Sequence, residues 1–239
     1  MSLSSTILKV RVEIFYKVVT KMLNTKITAK TPYSRFLLII ISLFGLIAHS
    51  SSVAAKADIE RGEKLSQTCL GCHGAPGLRN PSPVYLVPMI GGQHPEYITS
   101  ALKAYKNKDR AHGTMQAQGA NLSEQDMQDI AAYFTSLSDN TRPSNVDQEL
   151  ATKGKQEAAV CAACHGATGD GDNVTYPKLA GQYESYLIQA LKDYRSGDRR
   201  NAVMAGFATN LSIHQIKALS AWFASQNGGL SAPEISVKK

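Results

Sequence analysis

Apolar positions recur with a helical period over six stretches of the chain, and the six fall into two sets of three. Residues 58–70, 95–106 and 123–137 make the first set, and 147–163, 184–195 and 212–226 the second. In 123–137, Met127, Ile130, Ala131 and Phe134 follow three- and four-residue spacings and so share one face. Ser123 with Asp126, and Ser212 with Gln215, have the spacing of a capping box and mark helix starts. Pro95 is placed for the first turn of its helix. No convincing strand pattern lies between these stretches. The expected fold class is all-α.

The two sets are copies. Sliding the chain by 89 residues lays Pro88 on Pro177, Gly92-Gln93 on Gly181-Gln182, Tyr97 on Tyr186, and Ala101-Leu102-Lys103 on Ala190-Leu191-Lys192. Met115 falls on Met204, Asn121-Leu122-Ser123 on Asn210-Leu211-Ser212, and Tyr133-Phe134 on Trp222-Phe223. Upstream the offset is 92, which puts Gly62 on Gly154 and Cys69 on Cys161. The three-residue change lies in a loop that is longer and proline-rich in copy one, Leu78 to Pro83. Each copy is a domain, 58–138 and 147–228, with a polar link at 139–146 and a tail at 229–239. Eight linker residues span at most about 28 Å, so the domains must stay close. Gly62 and Gly154 lie inside predicted helices, where glycine costs about 1 kcal/mol against alanine. Close packing on the third helix is the expected reason.

Charge separates an N-terminal segment from the rest. Of the 26 Lys and Arg, eight lie in residues 1–57 beside the single acid Glu13. That leaves 18 basic and 18 acidic residues in 58–239, so the formal charge of +7 gives no argument for nucleic-acid binding. Within the basic segment, Phe36 to Ala48 is a 13-residue apolar run followed by small residues. As a helix it would be about 20 Å long, against a hydrocarbon core of about 30 Å. Residues 1–57 are therefore expected to be a cleaved export signal, with a retained membrane tether as the alternative. The two domains would then work in the periplasm.

All four cysteines of the chain sit in two motifs, Cys69-Leu70-Gly71-Cys72-His73 and Cys161-Ala162-Ala163-Cys164-His165. Two cysteines three apart can each add to a vinyl group of one haem, and the histidine that follows can reach its iron. A zinc site would look for further ligands downstream, and a redox dithiol has no need of the adjacent histidine. The motifs point to two haem c groups, held covalently at Cys69, Cys72, Cys161 and Cys164 and axially at His73 and His165. A domain this small has a marginal core of its own, and a haem bonded at three points would supply the missing apolar centre. Pro88 and Pro177 could offer a carbonyl to the ring N–H of each histidine.

An electron-transfer site needs a second axial ligand on the far side of each iron. Met115 and Met204 are equivalent in the repeat and sit in polar segments read as loops, which favours them as that pair. Met89 and His112 are the rivals in copy one, but their repeat partners are Lys178 and Asn201. His94 aligns with Tyr183 and His214 with Gln125, so neither belongs to a duplicated scheme.

The repeated Cys-x-x-Cys-His, the stretches Pro88 to Gln93 and Pro177 to Gln182, and the segments ending at Met115 and Met204 resemble cytochrome c4 over residues 58–228. The resemblance implies two tandem class I cytochrome c domains related by a pseudo-twofold, each wrapped around a covalently bound haem, with Met115 and Met204 axial. It implies an electron carrier and not an enzyme, shuttling between respiratory partners such as a quinol-oxidising complex, another cytochrome or a haem–copper oxidase. The long first haem loop and Met89 depart from the family pattern. Two other readings stay open: the cytochrome subunit of a flavocytochrome c-type dehydrogenase, and a dihaem peroxidase with one exchangeable iron site.

Overall fold

The computed structural model describes Lys17 and residues 56–138, 146–171 and 173–233, and residues 54–239 form one compact unit. The apolar run at 36–48 and nearly all of the expected link at 139–146 lie outside the described residues. Among the described residues no helix is long and apolar enough to cross a membrane.

Copy one contains α1 (Ile59–Leu65), α2 (Gln67–His73), β1 (Arg79–Pro81), β2 (Val84–Leu86), α3 (Pro95–Lys106), α4 (Gly113–Gly119) and α5 (Glu124–Ser136). Copy two contains α6 (Gln148–Glu157), α7 (Ala159–His165), α8 (Glu184–Ser196), α9 (Ala202–Ala208) and α10 (Ile213–Ala224). Both capping boxes form, at Ser123 with Asp126 and at Ser212 with Gln215, and Pro95 opens α3. The expected apolar face of α5 is buried, with Met127, Ile130, Ala131 and Phe134 between 0% and 3% exposed. It packs with Leu70, Ile98 and Leu102 into one core, and Leu187, Leu219 and Phe223 belong to its counterpart.

Two expectations are corrected. The first helix of each copy is not continuous. Ser66 and Ala158 interrupt it three residues before the first cysteine of each motif, with ψ angles of 0° and −7°. The Ser66 N–H is shared between the carbonyls of Gly62 and Glu63, a tightening that ends α1 and re-aims α2. The long loop of copy one also holds a small antiparallel sheet, pairing Arg79 with Leu86, Asn80 with Tyr85 and Pro81 with Val84. Three residues per strand are too few to show an alternation in sequence. The hairpin reaches copy two, where Tyr85 rests on Tyr186 with ring centroids 6.3 Å apart and the Leu86 N–H donates to Ser185 Oγ at 3.1 Å.

The copies dock through contacts that recur at the repeat offset. Arg110 donates to the Tyr186 hydroxyl at 2.8 Å, and its image Arg199 donates to the Tyr97 hydroxyl at 2.7 Å. Arg110 and Arg199 themselves face each other in an isolated antiparallel bridge. Such an interface follows two-fold logic within one chain. The C-terminal segment returns to copy one, where Ser231 and Gly91 exchange backbone hydrogen bonds of 3.0 and 2.9 Å.

One charge network belongs to copy one alone. Arg61 on α1 bonds Asp126 and Asp129 on α5, whereas the equivalent positions of copy two are Lys153, Gln215 and Ala218. Hydrogen bonds from Ser123, with Arg61 adding to them, hold the Asp126 carboxyl down to about 2. Burial alone would raise Asp129, but the Asp58 N–H, Arg61 and Gln125 outweigh it and hold that carboxyl low as well. A depressed carboxyl stabilises the fold above its unfolded value and loses that contribution as pH falls through its folded value. Acidification from about pH 4 towards 2 should therefore loosen α1 against α5 before it loosens α6 against α10. Pepsin cleavage mapped by mass spectrometry across that range should reach copy one first; simultaneous cleavage of both copies would refute this.

Candidate metal centres

The histidine of each motif sits at the end of its helix and is buried, His73 at 8% and His165 at 6% exposed. His73 Nδ1 lies 2.8 Å from the Pro88 carbonyl, and His165 Nδ1 lies 2.9 Å from the Pro177 carbonyl. A carbonyl only accepts, so each Nδ1 carries the proton. Burial lowers both histidines below their ordinary value, favouring the neutral ring. A neutral ring protonated at Nδ1 leaves its Nε2 lone pair free, the form that binds a metal. The two prolines thus do what the repeat suggested.

All four cysteines are free, and burial pushes the Cys69 and Cys161 thiols up. A redox or zinc-binding thiol would instead be held low. Among the described residues no group of three or more His, Cys, Asp and Glu side chains could hold a bare metal ion.

Around the second motif the chain leaves a cavity of about 450 Å³, lined by Cys161, Cys164, His165 and Met204 together with Leu187, Leu219 and Phe223. Two cysteines, a histidine and a methionine thus meet in one apolar space of a size suited to a large cofactor. In copy one, Cys69 and Met115 pack against the same core as Leu70 and Phe134.

Met115 and Met204 lie in short helices, α4 and α9, where loops were expected. Seven residues give too few turns for a period to show. What the repeat did preserve is their cap: the Met115 N–H donates to His112 Nδ1 at 3.2 Å, and the Met204 N–H to Asn201 Oδ1 at 3.0 Å. His112, weighed as a rival ligand, therefore acts here as the residue that places Met115. Met89 is only 6% exposed and lies one residue from Pro88, beside the Nδ1 contact of His73. His94 bonds the Gly171 carbonyl at 3.0 Å across the interface, and His214 is exposed.

Sequence reasoning passed over Arg110 and Arg199, although Asp109-Arg110 and Asp198-Arg199 match at the 89-residue offset. Both line the cavity of copy two, are 8% and 7% exposed, and face tyrosines; among the described residues neither forms a salt bridge, and the half-buried Asp193 is the carboxylate whose charge reaches both. Each guanidinium stacks on an aromatic ring, Arg110 over Tyr105 at 4.5 Å and Arg199 over Tyr194 at 4.4 Å. Burial opposes ionisation of Tyr97, yet Arg199 and then Arg110 overcome it and push that hydroxyl down to about 7. Two buried cations that draw a phenol this far call for an anion, and the carboxylate side chains of haem fit that need. The residues present fit the group their motifs imply.

Comparison with known proteins agrees with the geometry. The family model for Cytochrome c matches residues 59–138 and 151–227. Cytochrome c4 of Thiocapsa roseopersicina is 35% identical over 187 residues, covering 72% of this chain and 94% of that protein. The thiosulfate dehydrogenase electron acceptor of Thiomonas intermedia is 27% identical over 188 residues, covering 72% of this chain and 85% of the relative. Among solved structures, reduced recombinant cytochrome c4 from Pseudomonas stutzeri superposes with a TM-score of 0.61 at 30% identity, covering 72% of this chain and all of that one.

Proposed function

Because the chain belongs to the cytochrome c4 family of dihaem electron-transfer proteins, with two haem c groups and redox proteins as partners, we propose that it relays electrons in the periplasm from a respiratory donor towards a terminal oxidase. In this reading residues 1–57 direct export, residues 58–138 and 147–228 are the two haem domains, and 139–146 join them. The carrying observation is the duplication of a complete ligand set in one compact unit: Cys69, Cys72, His73 and Met115 in copy one, Cys161, Cys164, His165 and Met204 in copy two.

Bound haem supplies a one-electron couple at its iron. The chain's residues determine how that couple behaves. Cys69 with Cys72, and Cys161 with Cys164, anchor the group, while His73 and His165 present Nε2 to it from a fixed ring orientation. Met115 and Met204 would supply the second ligand of each iron, a combination that would favour the reduced state over a bis-histidine pair and leave no position for a substrate. Arg110 and Arg199 would neutralise acid groups that would otherwise be buried unpaired at the interface.

Replacing Met204 with histidine (Met204→His) should halve the weak ferric charge-transfer band of methionine–iron ligation. It should also lower the potential of one haem by on the order of 100 mV, a fraction of the range axial ligands span. Met115→His should do the same to the other haem, and peroxide should leave the wild-type spectrum unchanged. An unaltered band in either variant would remove that methionine from the scheme, and rapid oxidation by peroxide would favour a peroxidase.

A second reading has support from the Thiomonas intermedia relative, whose name makes it an electron acceptor. In that reading the donor is a periplasmic dehydrogenase, such as one oxidising thiosulfate, and no flavoprotein need be attached. Reduction by purified thiosulfate dehydrogenase at rates limited by encounter would select it.

A further inference from the structure

Two buried glutamines cross the interface and grip the backbone that orients the other copy's proximal histidine. Gln182, 3% exposed, accepts from the Met89 N–H at 3.1 Å and donates from Nε2 to the Met89 carbonyl at 2.8 Å. Its image Gln93, also 3% exposed, accepts from the Lys178 N–H at 2.8 Å and donates to the Lys178 carbonyl at 3.0 Å. Each glutamine is held in place by a further bond from the next residue, Tyr183 N–H to Gln182 and His94 N–H to Gln93, both at 3.0 Å.

The N–H of Met89 and the carbonyl of Pro88 belong to one peptide group. The contacts therefore form a single chain: His73 Nδ1–H to the Pro88 carbonyl, through that amide to the Met89 N–H, and on to Gln182 Oε1. In the other direction the chain runs from His165 through the Pro177–Lys178 amide to Gln93 Oε1. A hydrogen bond accepted from an amide N–H polarises its carbonyl and strengthens the bond that the carbonyl accepts, by about 10–30% per bond. The repeat replaces the Met89 side chain by that of Lys178, yet the contact persists, because only backbone atoms take part.

We propose that Gln182 and Gln93 are positioning residues acting in trans, each setting the basicity of the proximal histidine in the opposite domain. This rests on His73 and His165 being iron ligands. A more polarised Pro88 carbonyl draws the His73 proton further, makes the ring more electron-rich and favours the oxidised iron. Docking of the two copies thereby becomes part of each haem's redox setting. A domain separated from its partner would then carry a higher potential than the same domain in the whole chain.

The test uses the full-length holoprotein carrying Gln182→Met, which keeps side-chain length and removes the amide. NMR of the reduced protein gives the His73 and His165 ring protons and Nδ1–H shifts, and stepwise oxidation followed by NMR gives the potential of each haem. The expected result is a weaker His73 Nδ1 hydrogen bond and an about threefold shift of its haem towards the reduced form, about 28 mV at 59 mV per tenfold. The His165 haem should stay near its wild-type value, and Gln93→Met should give the mirror result. If Gln182→Met does not retain both haems, the mirror variant decides by the same criterion. Equal shifts at both haems, a shift only within the mutated domain, or none at either would overturn the proposal. Ligation is read separately, since an iron-bound histidine has ring protons moved far upfield by the porphyrin. Ordinary aromatic shifts would remove the ligand reading and this inference together, whereas upfield shifts with unmoved potentials would remove this inference alone.

Discussion

Replacing Cys161 and Cys164 together with alanine is expected to leave the second domain unfolded, not merely colourless. On the proposed ligation the cofactor would then keep only His165 and Met204, and the apolar side chains that line the cavity would lose their centre. That cavity measures about 450 Å³ and borders much of the core of copy two, including Leu187, Leu219 and Phe223. At about 24 cal/mol per Å³ of unfilled apolar volume, keeping it open would cost on the order of 10 kcal/mol. A domain of this size has about 4–12 kcal/mol of stability in total. Collapse or unfolding is the lower-energy outcome. Circular dichroism of the variant should lose close to half its helical signal, and haem content should fall from two to one per chain. Copy one should keep its haem, yet become less stable, because Gln182, Tyr186 and Arg199 would no longer meet their partners across the interface. A double variant that exports, folds fully and melts like wild type would show that the chain does not need the cofactor as its core.

The elements most visible in the sequence are those whose determinants are local. Ser123 with Asp126, Ser212 with Gln215, and Pro95 each start a helix by bonds or torsions within one turn, so their spacing suffices to place α5, α10 and α3. The two Cys-x-x-Cys-His motifs are equally compact. What stayed hidden depends on partners far along the chain. Gln93 and Gln182 match in the repeat, but nothing in that match says each one grips the other copy. Arg110 and Arg199 carry no local mark of the burial that the docking of the copies imposes on them. The breaks at Ser66 and Ala158 have no proline or glycine to announce them, and α4 and α9 are shorter than the window over which a helical period can be counted. The return of Ser231 to Gly91 is set by the fold of the whole unit and leaves no mark in its own composition.

Gly154→Ala is expected to cost about 3 kcal/mol or more, and Gly62→Ala nearly as much, because each glycine is where two helices of its domain touch backbone to backbone. Alanine is the better helix former, by about 1 kcal/mol, so propensity alone predicts the opposite sign. Packing decides it. A methyl group at 154 would lie 1.9 Å from the Ala218 carbonyl oxygen and 2.9 Å from the Trp222 Cβ. At 62 it would lie 2.0 Å from the Asp129 carbonyl oxygen and 3.0 Å from the Tyr133 Cβ. Tyr133 and Trp222, the first residues of the repeat's aromatic pairs, do lie there, but the closer obstacle is main chain, which cannot rotate aside. The helices must separate: α6 from α10 in one case, α1 from α5 in the other. Overpacking of this kind usually costs about 1–3 kcal/mol where side chains can yield, and more where they cannot. Separation would also move α7 or α2, and with it the histidine held against Pro177 or Pro88. The control is Gly206→Ala in α9, where an added methyl meets nothing within 4 Å and up to about 1 kcal/mol of stabilisation is expected. Guanidinium unfolding of the holoproteins, followed at the haem absorption, should rank Gly206→Ala at or above wild type and both buried variants far below it. If all three fall within about 0.5 kcal/mol of wild type, the helix crossings can open without cost, and packing is not the reason glycine stands there.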